Sequence, residues 1–213
     1  MTSYPITERT RVKRGHERAN YDQEIVHAII DEAYLCHVGA QMKDRPMVQP
    51  TFHWREGNKL YIHGSSKNAL FKSLLDGVEA CITITHLDGL VMARSSFHHS
   101  ANYRSVMIFS KAKQIAPPEE KSRLLDLMMK KITPDRFDDI RSANEQELKA
   151  TTVLEFSLQD VSAKIRTGPP VDDEEDYSLP VWAGVIPTTL EKGKPLDDPR
   201  WLDDHGDKSQ EIK

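Results

Sequence analysis

The chain has 213 residues, of which 38% are hydrophobic and 29% charged, and carries a net charge of −4 at neutral pH. One large domain of this size buries its own core without disulfide or metal support, and its charge offers no general attraction to nucleic acid or anionic lipid. A phosphate-bearing ligand therefore needs a local site.

No apolar run approaches the roughly 20 residues of a membrane span. The polar start MTSYPITERTRVKRGHERANYD has no signal-peptide core, so a cytoplasmic protein with neither membrane nor nucleic-acid partners is expected. Residues 1–20 form a basic arm with Arg9, Arg11, Lys13, Arg14 and Arg18, for which the acidic run Asp172–Asp176 is an available counter-charge. Asn20 and Gln23 resemble a capping box, and Ile25, Val26, Ile29, Ile30 and Ala33 recur at helical spacing, which predicts a helix over 21–33. YLCHVGAQM, MVQPTFHW and KLYIHG then read as three strands of an antiparallel meander, parted by the turns KDRP and REGN. Ser65 or Ser66 can cap a second helix carrying Ala69, Leu70, Leu74 and Leu75, which Gly77 ends.

The strand VEACITITHL follows over 78–87, then Asp88-Gly89 and LVMA, then the polar stretch RSSFHHSANYRSV over 94–106. From Tyr103 a further strand puts Tyr103, Ser105, Met107 and Phe109 on one face and Arg104, Val106 and Ile108 on the other. Pro117-Pro118 opens a helix whose Leu124, Leu127, Met128 and Ile132 read as core. A short helical piece over 144–149 precedes the strands TTVLEFSL and VSAKIRTG. Cys36 and Cys81 sit in strand-like contexts as free thiols, and no zinc spacing uses them. Residues 21–168 are expected to form the domain, with the extension 169–213 docking through VWAGVIP to about 187 and flexible beyond it. The predicted class is mainly β with interposed helices (α+β), a closed or nearly closed antiparallel barrel.

GxSxG, Walker A, HExxH and GxGxxG motifs are all missing. Two segments can still build a site. At His63-Gly64-Ser65-Ser66-Lys67-Asn68 a strand runs into a helix, bringing backbone N–H groups, hydroxyls and an ammonium together, as a phosphate needs; a plain capped helix is the other reading. The 94–106 stretch is either a loop satisfying its own backbone or the polar wall of a heteroaromatic ligand. His98 and His99 point to opposite sides of an extended chain with no nearby carboxylate or cysteine, so no metal site is expected there.

In these segments the chain resembles the pyridoxamine 5′-phosphate oxidase-like FMN-binding split barrels, in particular the flavin-nucleotide-binding or nitroimidazole-resistance-type subgroup. The resemblance rests on RPMVQPT at 45–51, YIHGSSK at 61–67, DGLVMARSSFHHSANYRSVMIFSKA at 88–112 and SAKIRTGPPVDDEEDYSLPVWAGVIP at 162–187. It implies a six-stranded antiparallel split barrel acting as a homodimer, with FMN at the subunit interface. Val48, Gln49, Pro50 and Thr51 would line the flavin ring, and His63, Gly64, Ser65, Ser66, Lys67 and Asn68 the phosphate. His98, His99, Ser100, Tyr103, Arg104 and Ser105 would form the opposite wall, and Trp182 would close the site.

Met47 and Ser66-Lys67 stand where the oxidase proper carries an arginine and an Arg-Lys pair, which argues against vitamin B6 oxidation and leaves Arg104, Lys164 or Arg166 to supply charge. The implied function is flavin-dependent reduction of a small-molecule substrate, with NAD(P)H as a possible electron donor and the flavin itself carrying the chemistry. The alternative is a flavin or haem binding and storage protein, with His63, His98 or His99 as axial ligand.

Overall fold

The computed structural model describes residues 2–200, so part of the expected flexible end, residues 201–213, lies outside the described residues. In chain order the elements are β1 (Ala19–Asn20), α1 (Gln23–Glu32), β2 (Leu35–Gln41), β3 (Pro46–Glu56), β4 (Lys59–Ser65), α2 (Ala69–Leu75), β5 (Glu79–Met92) and β6 (Ser100–Lys111). β7 (Lys113–Gln114), α3 (Pro118–Ile132), α4 (Glu145–Ala150), β8 (Thr151–Ser157), β9 (Asp160–Arg166) and β10 (Gly184–Pro187) complete them. Among the described residues no helix is long and apolar enough to cross a membrane.

The strands form one antiparallel sheet in the order β1-β9-β6-β5-β2-β3-β4-β8-β7, with β10 added on β5. β8 and β9 are consecutive in the chain but share no ladder, so the curved sheet is split between them. The Ser157 N–H donates across this gap to Ser110 Oγ at 3.0 Å. Among the described residues, seven long strands make the body, and three short ones from the arm, the β6 exit and the C-terminal extension bring the total to ten, where the resemblance implied six.

Period-two burial sends Val38, Ile62, Ile82, Ile84, Val106, Ile108 and Leu154 inward, where Ile30 of α1 and Leu70 and Phe71 of α2 close the core. Each such fully buried side chain contributes about 1.5–3 kcal/mol. Gly64 is required by this closure, because a Cβ there would lie 3.0 Å from the Phe71 ring. A second, smaller cluster lies on the outside of the sheet, where Trp54, Tyr61 and Val153 meet Leu124 and Met128 of α3.

The sequence expectations differ from the fold at four places. Asp22 caps α1, accepting from Glu24 N and Ile25 N, while Asn20 accepts from Asp22 N. Asn68 caps α2, its Oδ1 accepting from Leu70 N and Phe71 N in place of Ser65 or Ser66. β5 runs past the expected end at Leu87: it continues to Met92 through a register shift, and Gly89 is where β10 crosses closely, since a Cβ there would lie 2.9 Å from Val185. The basic arm lies along its own sheet, away from Asp172–Asp176: Arg9 pairs with Glu79 and sits over the Phe109 ring, and β1 pairs with β9.

No glycine ends α1, and three side chains satisfy its last carbonyls in place of a Schellman turn. His86 Nε2 donates to Ile29 O at 2.9 Å, His53 Nε2 to Ile30 O at 2.8 Å and Lys131 Nζ to Ala33 O at 2.6 Å. Lys131 ends α3, and near the other end of that helix Lys121 Nζ donates to Leu148 O at 3.0 Å and Thr151 O at 2.9 Å. Two half-buried lysines therefore tie α3 to the end of α1 and to the α4–β8 junction.

Candidate functional site

Two regions of the outer sheet surface carry candidate chemistry, and β3 runs through both. In the first, the register aligns Pro50, His37, Thr83 and Met107 across β3, β2, β5 and β6, with Val48, Gly39, Cys81 and Phe109 in the next row. Strands about 4.8 Å apart make each row about 14 Å wide. Val48 is 65% exposed and Met107 43%, and Gly39 contributes no side chain, so the surface is a flat, largely apolar wall.

Next to this wall is the β4–α2 corner. Asn68 Nδ2 donates to Gln49 Oε1 at 3.1 Å, tying the corner to the strand that carries Val48, Pro50 and Thr51. Ser65 Oγ accepts from Lys67 N, and Ser66 N donates to Ala150 O, while the Ser66 and Lys67 side chains are exposed. The corner thus presents a hydroxyl and an ammonium to solvent, with most of its backbone donors already paired.

The 94–106 stretch divides. Arg94 holds the buried Asp172 through its backbone N–H at 2.9 Å and Nη1 at 3.0 Å, and its guanidinium lies over the Tyr177 ring. His98 Nδ1 bonds Ser95 Oγ at 2.8 Å, and His99 Nδ1 donates to Ser95 O at 2.8 Å. His98, Asp172 and Asp176 place ligand atoms within 4.8 Å of one another, and Asp172 of that group is engaged by Arg94. Asn102 donates to Gly168 O. The Arg104 guanidinium is shared between Asp88 and Glu32, which holds the Glu32 carboxyl below its usual range. Much of the stretch is therefore a joint between β6 and the C-terminal extension. Ser100 lies exposed at the start of β6, and only Tyr103 and Ser105 point to the outer wall, with Ser105 Oγ donating to Lys164 O at 3.2 Å. Trp182 is 66% exposed and folds over Gly184 at the β10–β5 edge.

The second region was not legible in the sequence. A cavity of about 530 Å³ lies between the outer face of β4 and β8, α3, and residues 133–144. Its wall is apolar, with Leu125, Met128, Met129, Phe137 and Ile140, and only a few polar groups enter it. Foremost is His63, which the structure assigns to this cavity as well as to the strand leading into the phosphate-type corner. Its Nδ1 is fully buried with no hydrogen-bond partner, and burial lowers its pKa, so the imidazole is neutral at pH 7. Trp54 lies 6.1 Å from the His63 ring, and its Nε1 is likewise buried and unpaired. Asp126, Arg141, Ser142, Glu147 and Thr151 also border the cavity; Arg141 grips Glu147 at 2.6 and 2.8 Å, both side chains being exposed. One sequence signal for this region existed: TPDRFDDIRSAN at 133–144 carries Phe137 and Ile140 in an otherwise polar link, apolar residues that need a surface to cover.

Solved structures similar to this chain include a flavocytochrome from Azotobacter vinelandii, at 43% identity over 97% of each chain with a TM-score of 0.89. A FAD and haem binding protein from Mycobacterium smegmatis is 34% identical over 85% of this chain and 89% of its own, with a TM-score of 0.82. A putative 5-nitroimidazole antibiotic resistance protein from Bacteroides thetaiotaomicron shares the fold at 24% identity, covering 69% of this chain and 86% of its own, with a TM-score of 0.59. A search of curated proteins finds no match. The family described as pyridoxamine 5′-phosphate oxidase matches residues 22–165, and the chain belongs to that family.

Proposed function

We propose that this protein is a redox protein that binds a flavin nucleotide on the outer wall of β3 and a haem in the cavity beneath α3, and that it works as a homodimer. The observation that carries the reading is the cavity: an apolar chamber of about 530 Å³ containing one neutral imidazole whose Nδ1 has no partner. Its volume falls in the range of about 300–1,000 Å³ typical of small-molecule and cofactor sites. An iron porphyrin matches that donor set, being flat, apolar and in need of an axial nitrogen, so His63 is the ligand proposed. The flavin half is supported by the flat wall at Gly39, Val48 and Pro50 and by Ser66 and Lys67 at the adjoining corner. These two side chains suit the first phosphate, which FMN and FAD share. Two relatives above 30% identity are named for a flavin and a haem, the flavocytochrome and the FAD and haem binding protein.

A flavin supplies two-electron exchange with a donor such as NAD(P)H and a haem supplies one-electron steps, so the pair suits transfer to a small-molecule acceptor. The protein's part is placement. Lys67 and Ser66 hold the phosphate, Gln49 is fixed by Asn68 beside the ring wall, and His63 is kept neutral by burial. Trp54, four residues along β3 from Pro50 and beside His63, lies between the two regions, about 13 Å from the flavin wall along the strand. Leu35 at 47%, Val48 at 65%, Phe52 at 40% and Met107 at 43% exposure form an apolar face large enough to need a cover, and a second copy is the proposed one. On this reading Tyr103, Ser105 and Trp182 complete the partner's flavin site.

The test separates the two cofactors. Protein purified as wild type, His63→Ala and Lys67→Ala is assayed for flavin and haem content. His63→Ala should lose haem and keep flavin, and Lys67→Ala should lose flavin and keep haem. Loss of both cofactors in each variant, with folding intact, contradicts two separate sites.

A further inference from the structure

We infer that Arg141 is an anion clamp at the mouth of the His63 cavity that selects a porphyrin carrying free carboxylates, exchanging its present partner Glu147 for a propionate of the bound ring. This rests on the haem reading above and extends it from the metal end of the ligand to its opposite edge.

Polarity is unevenly distributed around the cavity. The interior wall of Leu125, Met128, Met129, Phe137 and Ile140 offers no partner to a charged group. A haem is apolar over its ring and doubly negative along one edge, so that edge must lie where charge can be paired or solvated. Two carboxylates, Asp126 and Glu147, border the cavity and would repel that edge; Arg141 is the cationic side chain among the bordering residues, and it is 69% exposed, at the opening. Its planar fork matches a carboxylate in bidentate geometry, as its hold on Glu147 already shows, with Nη1–Oε2 at 2.8 Å and Nη2–Oε1 at 2.6 Å.

Glu147 can lose Arg141 without being stranded. Its Oε2 also accepts from Asn144 N at 2.9 Å, as the reciprocal half of the capping box that begins α4. The carboxylate is 46% exposed, so water replaces the guanidinium when it turns away. An exposed pair of this kind adds little to the stability of the fold, so the exchange costs little. The same arrangement has a function before haem binds, because it keeps Arg141 extended at the rim and its charge neutralised.

The test compares two probes, iron protoporphyrin IX and its dimethyl ester, titrated into the full-length apoprotein. Wild type should bind the diacid at least about tenfold more tightly than the diester, as a charge-assisted bidentate contact implies. Arg141→Gln should weaken the diacid by about the same factor and leave the diester unchanged, while Arg141→Lys should recover part of the preference. Glu147→Gln, which keeps an acceptor for the Asn144 N–H but no competing charge, should bind the diacid at least as tightly as wild type. Equal affinity of wild type and Arg141→Gln for the diacid overturns the clamp, and so does equal weakening of both probes by that variant. Failure of wild type to bind either porphyrin instead overturns the haem reading and the clamp with it. Thermal melting of Arg141→Gln should match wild type, which separates lost recognition from lost folding.

Discussion

Lowering the pH from 7 to 4 should destabilise this protein specifically through His53. The residue is 1% exposed, and its Nε2 donates to Ile30 O at 2.8 Å, so the folded state holds the neutral tautomer protonated at Nε2. Burial, with the nearby Lys131 charge adding to it, lowers its pKa from 6.5 to about 4. Between those values the unfolded chain binds a proton that the folded chain refuses, so stability is intact above pH 6.5 and falls as the pH drops toward 4. A gap of about 2.5 pH units at about 1.4 kcal/mol per unit is about 3.5 kcal/mol in full, of which about 3 kcal/mol is lost by pH 4, where half of the folded-state imidazole is already protonated. Urea unfolding at pH 7, 6, 5 and 4 measures it, with His53→Gln as the reference, because glutamine can donate the same hydrogen bond but does not titrate. Wild type should lose about 3 kcal/mol more than His53→Gln across that range. Parallel decline of the two proteins would show that the cap does not depend on a neutral imidazole, and would refute the reasoning.

Three further substitutions test how the sites are held. Asn68→Ala removes the α2 cap and should cost about 1 kcal/mol, while releasing Gln49 and weakening flavin binding; melting and flavin titration read the two effects. Gly64→Ala forces a methyl to within 3.0 Å of the Phe71 ring and should cost about 1–3 kcal/mol, with partial recovery on adding Phe71→Leu. Arg104→Gln leaves Asp88 and Glu32 without their shared cation and should lower the melting temperature, while flavin content stays that of wild type. Loss of flavin in a stably folded Arg104→Gln protein would show instead that this guanidinium serves the ligand.

The fold was legible where a local pattern determines local structure. The stripe of Val26, Ile29 and Ile30 marks α1, and alternation in the first three long strands marks the meander. Gly89 was misleading because a strand-interior glycine and a turn glycine look alike in sequence, and only the approach of Val185 from nearly a hundred residues away distinguishes them. The polar 94–106 stretch was hard to read for the same reason. Its partners Asp172, Gly168, Glu32 and Asp88 are supplied by distant segments, so the number of polar groups could not show how many were already engaged. At the candidate site, the wall and corner were visible as contiguous runs, 48–51 and 63–68. The cavity was not, because it joins His63 of β4, Met128 and Met129 of α3, Phe137 and Ile140 of the link and Thr151 of β8. Met128 is both a core residue and a cavity wall, and hydrophobic spacing on a helix identifies only the first role.

The central claim, two different redox cofactors on one outer sheet surface, is tested most directly by counting chromophores in the native protein. The wild-type chain, purified without added cofactor and then again after reconstitution, is scanned through the visible range and assayed chemically for flavin and iron protoporphyrin. Both a flavin band and a Soret band are expected, with one flavin and one haem per chain. A protein that stays colourless after incubation with flavin nucleotide and haemin together would contradict it.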